Sequence, residues 1–203
     1  MVNNYISILT NWSNIIYINK ELLGMKELKK DLILESAIKN FAINGYEASM
    51  DEIASDAKVS KGLLFFYYKS KENLIIDAAI KSVPLDVLNY IETKEYSDIH
   101  SILYDLGTRF LDSYKNQDLR NLFLYTISNK NKYPEIKEKL KELCFTNFDE
   151  IFSKIKNISN LDFSLAKKRS FFGSLLCYLI WWNDNEQNIE NYVEDLVNGF
   201  LNK

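Results

Sequence analysis

Three serines, each placed to start a helix, divide the stretch from Ser49 to Leu74, SMDEIASDAKVSKGLLFFYYKSKENL. Ser49 stands three residues before Glu52, the spacing of a capping box, in which each side chain satisfies a backbone N–H left open by the first helical turn. Met50, Ile53, Ala54 and Ala57 then recur at helical spacing. The helix does not continue through Lys58-Val59-Ser60, because Val is a poor helix former and Ser60 is a good N-cap for the next segment. A short turn leads into Lys61 to Tyr67, and Ser70 opens a further helix with Lys71 in its first turn. Two short helices joined this way have the form of a helix-turn-helix, whose second helix can enter a DNA major groove. An ordinary helical hairpin has the same spacing. The surface on offer favours a partner: Lys61, Leu63, Phe66 and Tyr67 crowd a helix barely two turns long, and Gly62 lets it approach a backbone closely.

Preceded by LILESAIKNFAINGYEASM, residues 32–50, this stretch resembles the N-terminal domain of the TetR family of transcriptional regulators. The resemblance rests on Ala37, Phe41, Gly45-Tyr46, Ser49, Ile53-Ala54, Val59-Ser60-Lys61-Gly62, Phe65 to Tyr68 and Ser70-Lys71-Glu72-Asn73-Leu74, in the family's order. It implies an all-α fold, in which an N-terminal three-helix DNA-binding domain with a helix-turn-helix precedes a larger helical ligand-binding and dimerisation domain. It also implies a cytoplasmic homodimer on a palindromic operator in double-stranded DNA, usually a repressor that a small effector releases. Lys61, Gly62, Leu63, Phe65, Phe66 and Tyr67 match family positions on the recognition helix, while Ser49 and Lys71 match positions that contact the DNA backbone beside it. In physical terms Lys61 is suited to guanine acceptors or phosphate, Leu63 to a thymine methyl group, and the Tyr67 hydroxyl and Ser49 backbone N–H to phosphates.

The chain departs from the family pattern at three places. Leu63 stands where Thr is common and Phe65 where Tyr is common, so two hydroxyls are absent. Lys58 replaces a frequent Gly in the turn and is expected to keep φ below zero or accept modest strain.

Charge does not advertise a nucleic-acid partner. The net charge is -3, and residues 25–80 carry eight Lys against nine Asp or Glu. DNA binding therefore needs a local arrangement of donors, with Lys61 and Lys71 neutralising phosphates. The same balance supports a rival reading, a helical protein-interaction module that has lost specific DNA binding. Enzymatic activity is not expected, because Lys, Asp and Glu are scattered as solvated helix faces require and no pair has catalytic spacing. No cofactor or metal site is expected either. His100 is the single His, lacks nearby Cys partners and reads as a capping or surface residue. Cys144 and Cys177 sit in apolar helical patterns and read as reduced core thiols.

The first 24 residues lack the features of a signal peptide, and no apolar run reaches membrane-spanning length. Met25-Lys26-Glu27-Leu28 looks like the usual beginning of such a domain. Residues 1–24 are accordingly expected to be an N-terminal extension, possible upstream sequence before a natural start at Met25, with an added helix or arm as alternatives. Residues 25–83 form the expected DNA-binding domain and linking helix, and 84–203 the effector-binding and dimerisation domain. Leu28, Leu32, Ala37 and Phe41 are expected to form the apolar face of a helix over residues 27–44, with Gly45 just past its end.

A linking helix follows from Lys71 to Val83, where Pro84 kinks or ends it. Further helices are expected near 84–92, 99–115, 118–129, 134–156, 163–182 and 187–201, with Asp184-Asn185 in the last turn. Rings recur throughout this half. Tyr104, Phe123, Tyr125, Phe148 and Tyr178 are the candidates to line a site for a small apolar or aromatic effector, since polar-tipped rings on adjacent helices suit such a cavity. Individually each reads as core. Few buried positive charges are foreseen, which disfavours an anionic effector. Phe163 to Trp182, with Ile189, Tyr192, Val193, Leu196, Val197 and Phe200 on the next helix, offers more apolar surface than one small domain covers. A homodimer through the last two helices is expected.

Overall fold

The computed structural model describes residues 27–182 and 188–202, apart from the side chains of residues 144 and 145. The expectations for residues 1–24, for the Met25 start, for Cys144 and for the Asp184-Asn185 turn lie outside the described residues.

Helix α1 covers residues 27–44. Its buried face is Ile33, Ala37, Ile38 and Phe41; Leu28, expected in the core, is 58% exposed, because the packing begins only beyond the first turn. The helix stops at Gly45, whose φ of +61° is the left-handed conformation that terminates helices, and a single 3-10 turn, Gly45–Glu47, redirects the chain. Helix α2, Met50–Asp56, starts on the expected capping box. The Ser36 hydroxyl donates to the Ile53 carbonyl at 2.9 Å and fixes α2 across α1.

Between α2 and α3, Lys61–Tyr67, the chain breaks at Lys58, whose φ is +53°. Of the two alternatives expected at Lys58, a negative φ or modest strain, the structure shows the second. Val59 N–H donates to Ala54 O at 3.0 Å and Lys58 N–H to Ser55 O at 3.1 Å, the paired bonds of a Schellman ending. Closing α2 in this way requires the left-handed residue, and a lysine adopts it at a cost of about 1–2 kcal/mol. Ser60 caps α3, and Ser70 caps α4, Lys71–Lys81.

The larger helical bundle follows. Pro84 precedes α5, Leu85–Thr93; Asp98 caps α6, Ile99–Ser113; Asn116 caps α7, Gln117–Asn129. After a 3-10 turn, Lys130–Lys132, Pro134 starts α8, Pro134–Ser159, which runs about 39 Å and passes the expected stop at Asn157. Asn160, at φ +56°, ends it. Helices α9, Leu165–Ile180, and α10, Ile189–Leu201, complete the bundle.

Helix α6 is the axis of the bundle, packed by α5, α8, α9 and most extensively α10. Gly107 makes the last contact possible, since a Cβ there would stand 2.7 Å from Val193. Ile189, Val193, Val197 and Phe200 are buried within the chain, Val193 against Gly107 and Phe200 against Phe163 and Phe171, so these four do not form the open surface for a second subunit that was expected of them. The open apolar surface belongs to α9 instead, where Leu165, Ile180 and the adjoining Trp181 are exposed and Gly173 faces open space. Cys177, expected in the core, lies on that same exposed side. Elsewhere in the bundle, Lys154 of α8 donates to the carbonyls of Ile91, Glu92 and Lys94, capping the C-terminal end of α5.

Two buried hydrogen bonds hold the N-terminal helices against the bundle. The Tyr46 and Thr126 hydroxyls meet at 2.6 Å, and the Tyr46 ring packs edge-on against Phe41, Tyr125 and Tyr133. Burial pushes the Tyr46 phenol up to about 12. In the second, the Tyr114 hydroxyl donates to Ser82 O at 2.9 Å. Arg120 donates from Nη1 to Tyr114 O and lies over the Trp182 ring. It is the single buried cation among the described residues.

A Cβ at Gly45 would stand 2.7 Å from the Tyr125 ring. Gly45→Ala is therefore expected to lose about 1–2 kcal/mol to backbone strain and more to the ring. Urea melts of Gly45→Ala, Tyr125→Ala and the double variant test this; strictly additive losses would show that the ring yields freely.

Candidate nucleic-acid interface

Leu64 and Tyr68 are buried and root α3 in the N-terminal core. With residues turning about 100° per step, the ridge opposite them is Gly62 and Phe66. Phe66 is 57% exposed, and Gly62 has open space where a Cβ would stand. Lys61 and Phe65 form one flank of this ridge, and Leu63 and Tyr67 the other, more sheltered one. The six α3 residues singled out in the sequence thus share one short helix whose outward surface is largely aromatic. Phe66 packs edge-on against Tyr67, and Lys69 Nζ lies 5.4 Å above the Phe66 ring.

Local acids balance the cations. Lys61 Nζ is 2.8 Å from Asp51 Oδ1, with both side chains largely exposed. Lys39 pairs with Asp56, and Lys30 with Asp77. Lys71 opens α4 as expected, half-exposed and next to Glu72. The expectation for Ser49 needs correction: its backbone N–H already donates to Glu52 Oε2 at 2.7 Å, and a carboxylate stands where a phosphate was foreseen. The Asp51 partnership had no local signal in the sequence, because the two residues lie on different helices.

The five rings chosen as effector candidates are not brought together. Phe123 and Phe148 join the core through Phe110 and Phe172. Tyr125 packs on Tyr46 at the joint with the N-terminal helices, and Tyr178 packs between Trp182 and Tyr192. Tyr104 lines a polar cleft of about 380 Å³ with Lys94, Tyr96, His100 and Asp105. The rings recur because each helix needs its own core contacts, so helical spacing alone does not reveal which of them share a space. His100 does not cap α6. Its Nε2 lies 3.0 Å from Glu194 Oε1 on α10, and its ring stacks on Tyr104.

A wider cleft, about 550 Å³, opens where the two parts of the chain meet. Leu34 of α1, Ile80 of α4, Pro84 and Leu85 at the bend, Tyr114 of α6 and Leu119 of α7 provide its apolar walls. None of these residues was expected to line an effector site, because the cleft depends on the packing of distant helices. No helix among the described residues is long and apolar enough to cross a membrane.

The capping box makes α2 sensitive to acid. The backbone and hydroxyl of Ser49 hold the Glu52 carboxyl below its usual range. A lowered folded value means that the stabilisation is fully present only above the ordinary glutamate value of about 4.5 and is lost as pH falls from there through the lowered value. Amide exchange at α2 is expected to accelerate over that window in the native chain, and Glu52→Gln is expected to flatten the response. An unchanged profile in the variant would assign the acid sensitivity to another group.

A two-turn helix rooted by Leu64, set on three small helices ahead of a larger bundle, defines a helix-turn-helix protein. Residues 33–78 match the model of the bacterial regulatory proteins of the tetR family, and the chain has the architecture of that family, small N-terminal helices ahead of a larger helical bundle. An uncharacterised HTH-type transcriptional regulator of Bacillus subtilis, YuxN, is 33% identical over 166 residues, which cover 77% of this chain and 52% of the relative. A second from the same organism, YhgD, is 47% identical over 47 residues, covering 23% of this chain and 25% of the relative. The chain thus spans about half, or less, of the length of the curated relatives it matches. Among solved structures, a candidate fatty acid metabolism regulator of Clostridium perfringens has a TM-score of 0.69 at 25% identity, covering 84% of this chain and 96% of that one. The fatty acid degradation regulator FadR of Bacillus halodurans has a TM-score of 0.68 at 20% identity, covering 85% and 94%.

Proposed function

We propose that this chain is a DNA-binding transcriptional regulator, a repressor that acts as a homodimer on a palindromic operator. The observation that carries the reading is the exposed Gly62–Phe66 ridge of α3, flanked by Lys61 and rooted by Leu64. A ridge this narrow, unobstructed at Gly62, fits a major groove about 12 Å wide. On this reading residues 25–83 are the DNA-binding part and 84–203 the effector-binding and dimerisation part. Lys61 exchanges Asp51 for a base edge or phosphate, and Lys71 and Tyr67 contact the backbone. Ser49 contributes through the capped start of α2 rather than through its own N–H.

The second subunit binds along α9, where Leu165, Gly173, Cys177, Ile180 and Trp181 leave an open apolar face. Selection from random duplex DNA with the purified protein tests both points. The expected result is an enriched palindrome carrying two chains by sedimentation. Affinity should fall at least tenfold in Lys61→Ala, and the complex should fall to one chain in Ile180→Glu. Absence of any enriched sequence at low salt would favour the protein-interaction module that the cancelling charges allow.

The effector is a small apolar molecule, and its place is the cleft between Leu34, Ile80, Pro84 and Leu119, because a molecule there touches both parts of the chain. The Clostridium perfringens neighbour, described as a regulator of fatty acid metabolism, makes a fatty acid the first compound to try. Palmitate is expected to release the selected operator from the native chain, and Ile80→Trp, which fills the cleft, is expected to abolish the response. Equal release from both proteins would place the effector elsewhere.

A further inference from the structure

We infer that α3 reads its operator mainly through the methyl groups of thymine, with Phe66 as the reading side chain and Leu63 beside it; this rests on the regulator reading above. Phe66 stands at the crest of the helix, 57% exposed, and is the side chain that reaches furthest from the buried Leu64 side. Its ring has no hydrogen-bonding group, and neither has Leu63 on the adjoining flank or Phe65 on the other. Gly62, one turn before Phe66, contributes no side chain and leaves room for the groove floor to approach. On this helix the hydrogen-bonding side chains are Lys61, at its start and held by Asp51, and Tyr67, which is half-buried toward the protein.

The base edges in the major groove offer hydrogen-bond donors and acceptors throughout and a single apolar group, the C5-methyl of thymine. An apolar crest pressed on unmethylated edges would strip water from their donors and acceptors without replacing it, which is unfavourable. Against thymine methyls the same ring buries apolar surface on both sides. Lys69, above the Phe66 ring, remains outside the base contact and close to the phosphates, so the cation and the ring divide backbone and base between them.

Uracil differs from thymine only by that methyl group, so the protein is left unaltered in the test. Each thymine of the selected half-site is replaced by uracil in turn, and affinities are measured with the native chain and with Phe66→Ala. The expected result is a loss of roughly fourfold for each methyl under the crest, at one or two adjacent positions, with the difference between thymine and uracil absent in Phe66→Ala. An operator whose uracil forms all bind like the thymine form would overturn the inference and leave the regulator reading standing. A uracil effect that persists in Phe66→Ala would overturn it too, by assigning the methyl to another side chain. Failure to select any operator would remove both readings.

Discussion

The hydrogen bond between the Tyr46 and Thr126 hydroxyls is the constraint on which the placement of the N-terminal helices depends. A hydroxyl taken out of water and left unpaired costs about 1–3 kcal/mol, so each of these groups specifies the other across 80 residues of chain. The ring that carries one of them is enclosed by Phe41, Tyr125 and Tyr133, and Tyr125 reaches this position only because residue 45 has no Cβ. Glycine is needed here twice, for the left-handed turn that ends α1 and for the space above it. The bond from Tyr114 to Ser82 supports the other end of the same contact, so the DNA-binding part is fixed at two separated points.

The acidic balance of the chain has a local meaning at α3. Lys61 is neutralised by Asp51 in the free protein, and such exposed pairs contribute at most about 1 kcal/mol. A phosphate or a guanine edge can therefore displace the carboxylate at small cost, but the net charge brought to DNA stays low. On the proposed reading, binding depends less on general attraction to the polyanion and more on the fit of the α3 crest. This is consistent with a chain that carries a net charge of -3 and still presents a reading helix.

Much of the N-terminal architecture was legible because its determinants are local. Ser49, Ser60 and Ser70 accept hydrogen bonds from backbone N–H groups three residues ahead, and the spacing of each signal is visible in a short window. Helix boundaries in the bundle were legible for the same reason, from Pro134 and from the breaks at Asn116 and Lys130. The choice between two packing partners was not. Val193 and Ile180 are both apolar residues on late helices, yet one is buried against Gly107 and the other is exposed, and only the three-dimensional arrangement decides which. Lys58 shows a different limit: the turn was evident, but the Schellman bonds that require its left-handed backbone were not.

Lys154 ties three carbonyls at the end of α5 to the last two turns of α8, the longest helix of the bundle. Mechanically this couples α5 to α8, since neither can slide without breaking bonds from a charged donor to three carbonyls, one half-buried and two exposed. Helix α4 has no comparable weld to α5; the two meet at Ser82, Val83 and Pro84, where proline removes a donor from the backbone. The joint between α4 and α5 is thereby confined to three residues, but α4 packs along α7 and α8, so the N-terminal helices can turn there only after the Tyr46–Thr126 and Tyr114–Ser82 bonds are broken.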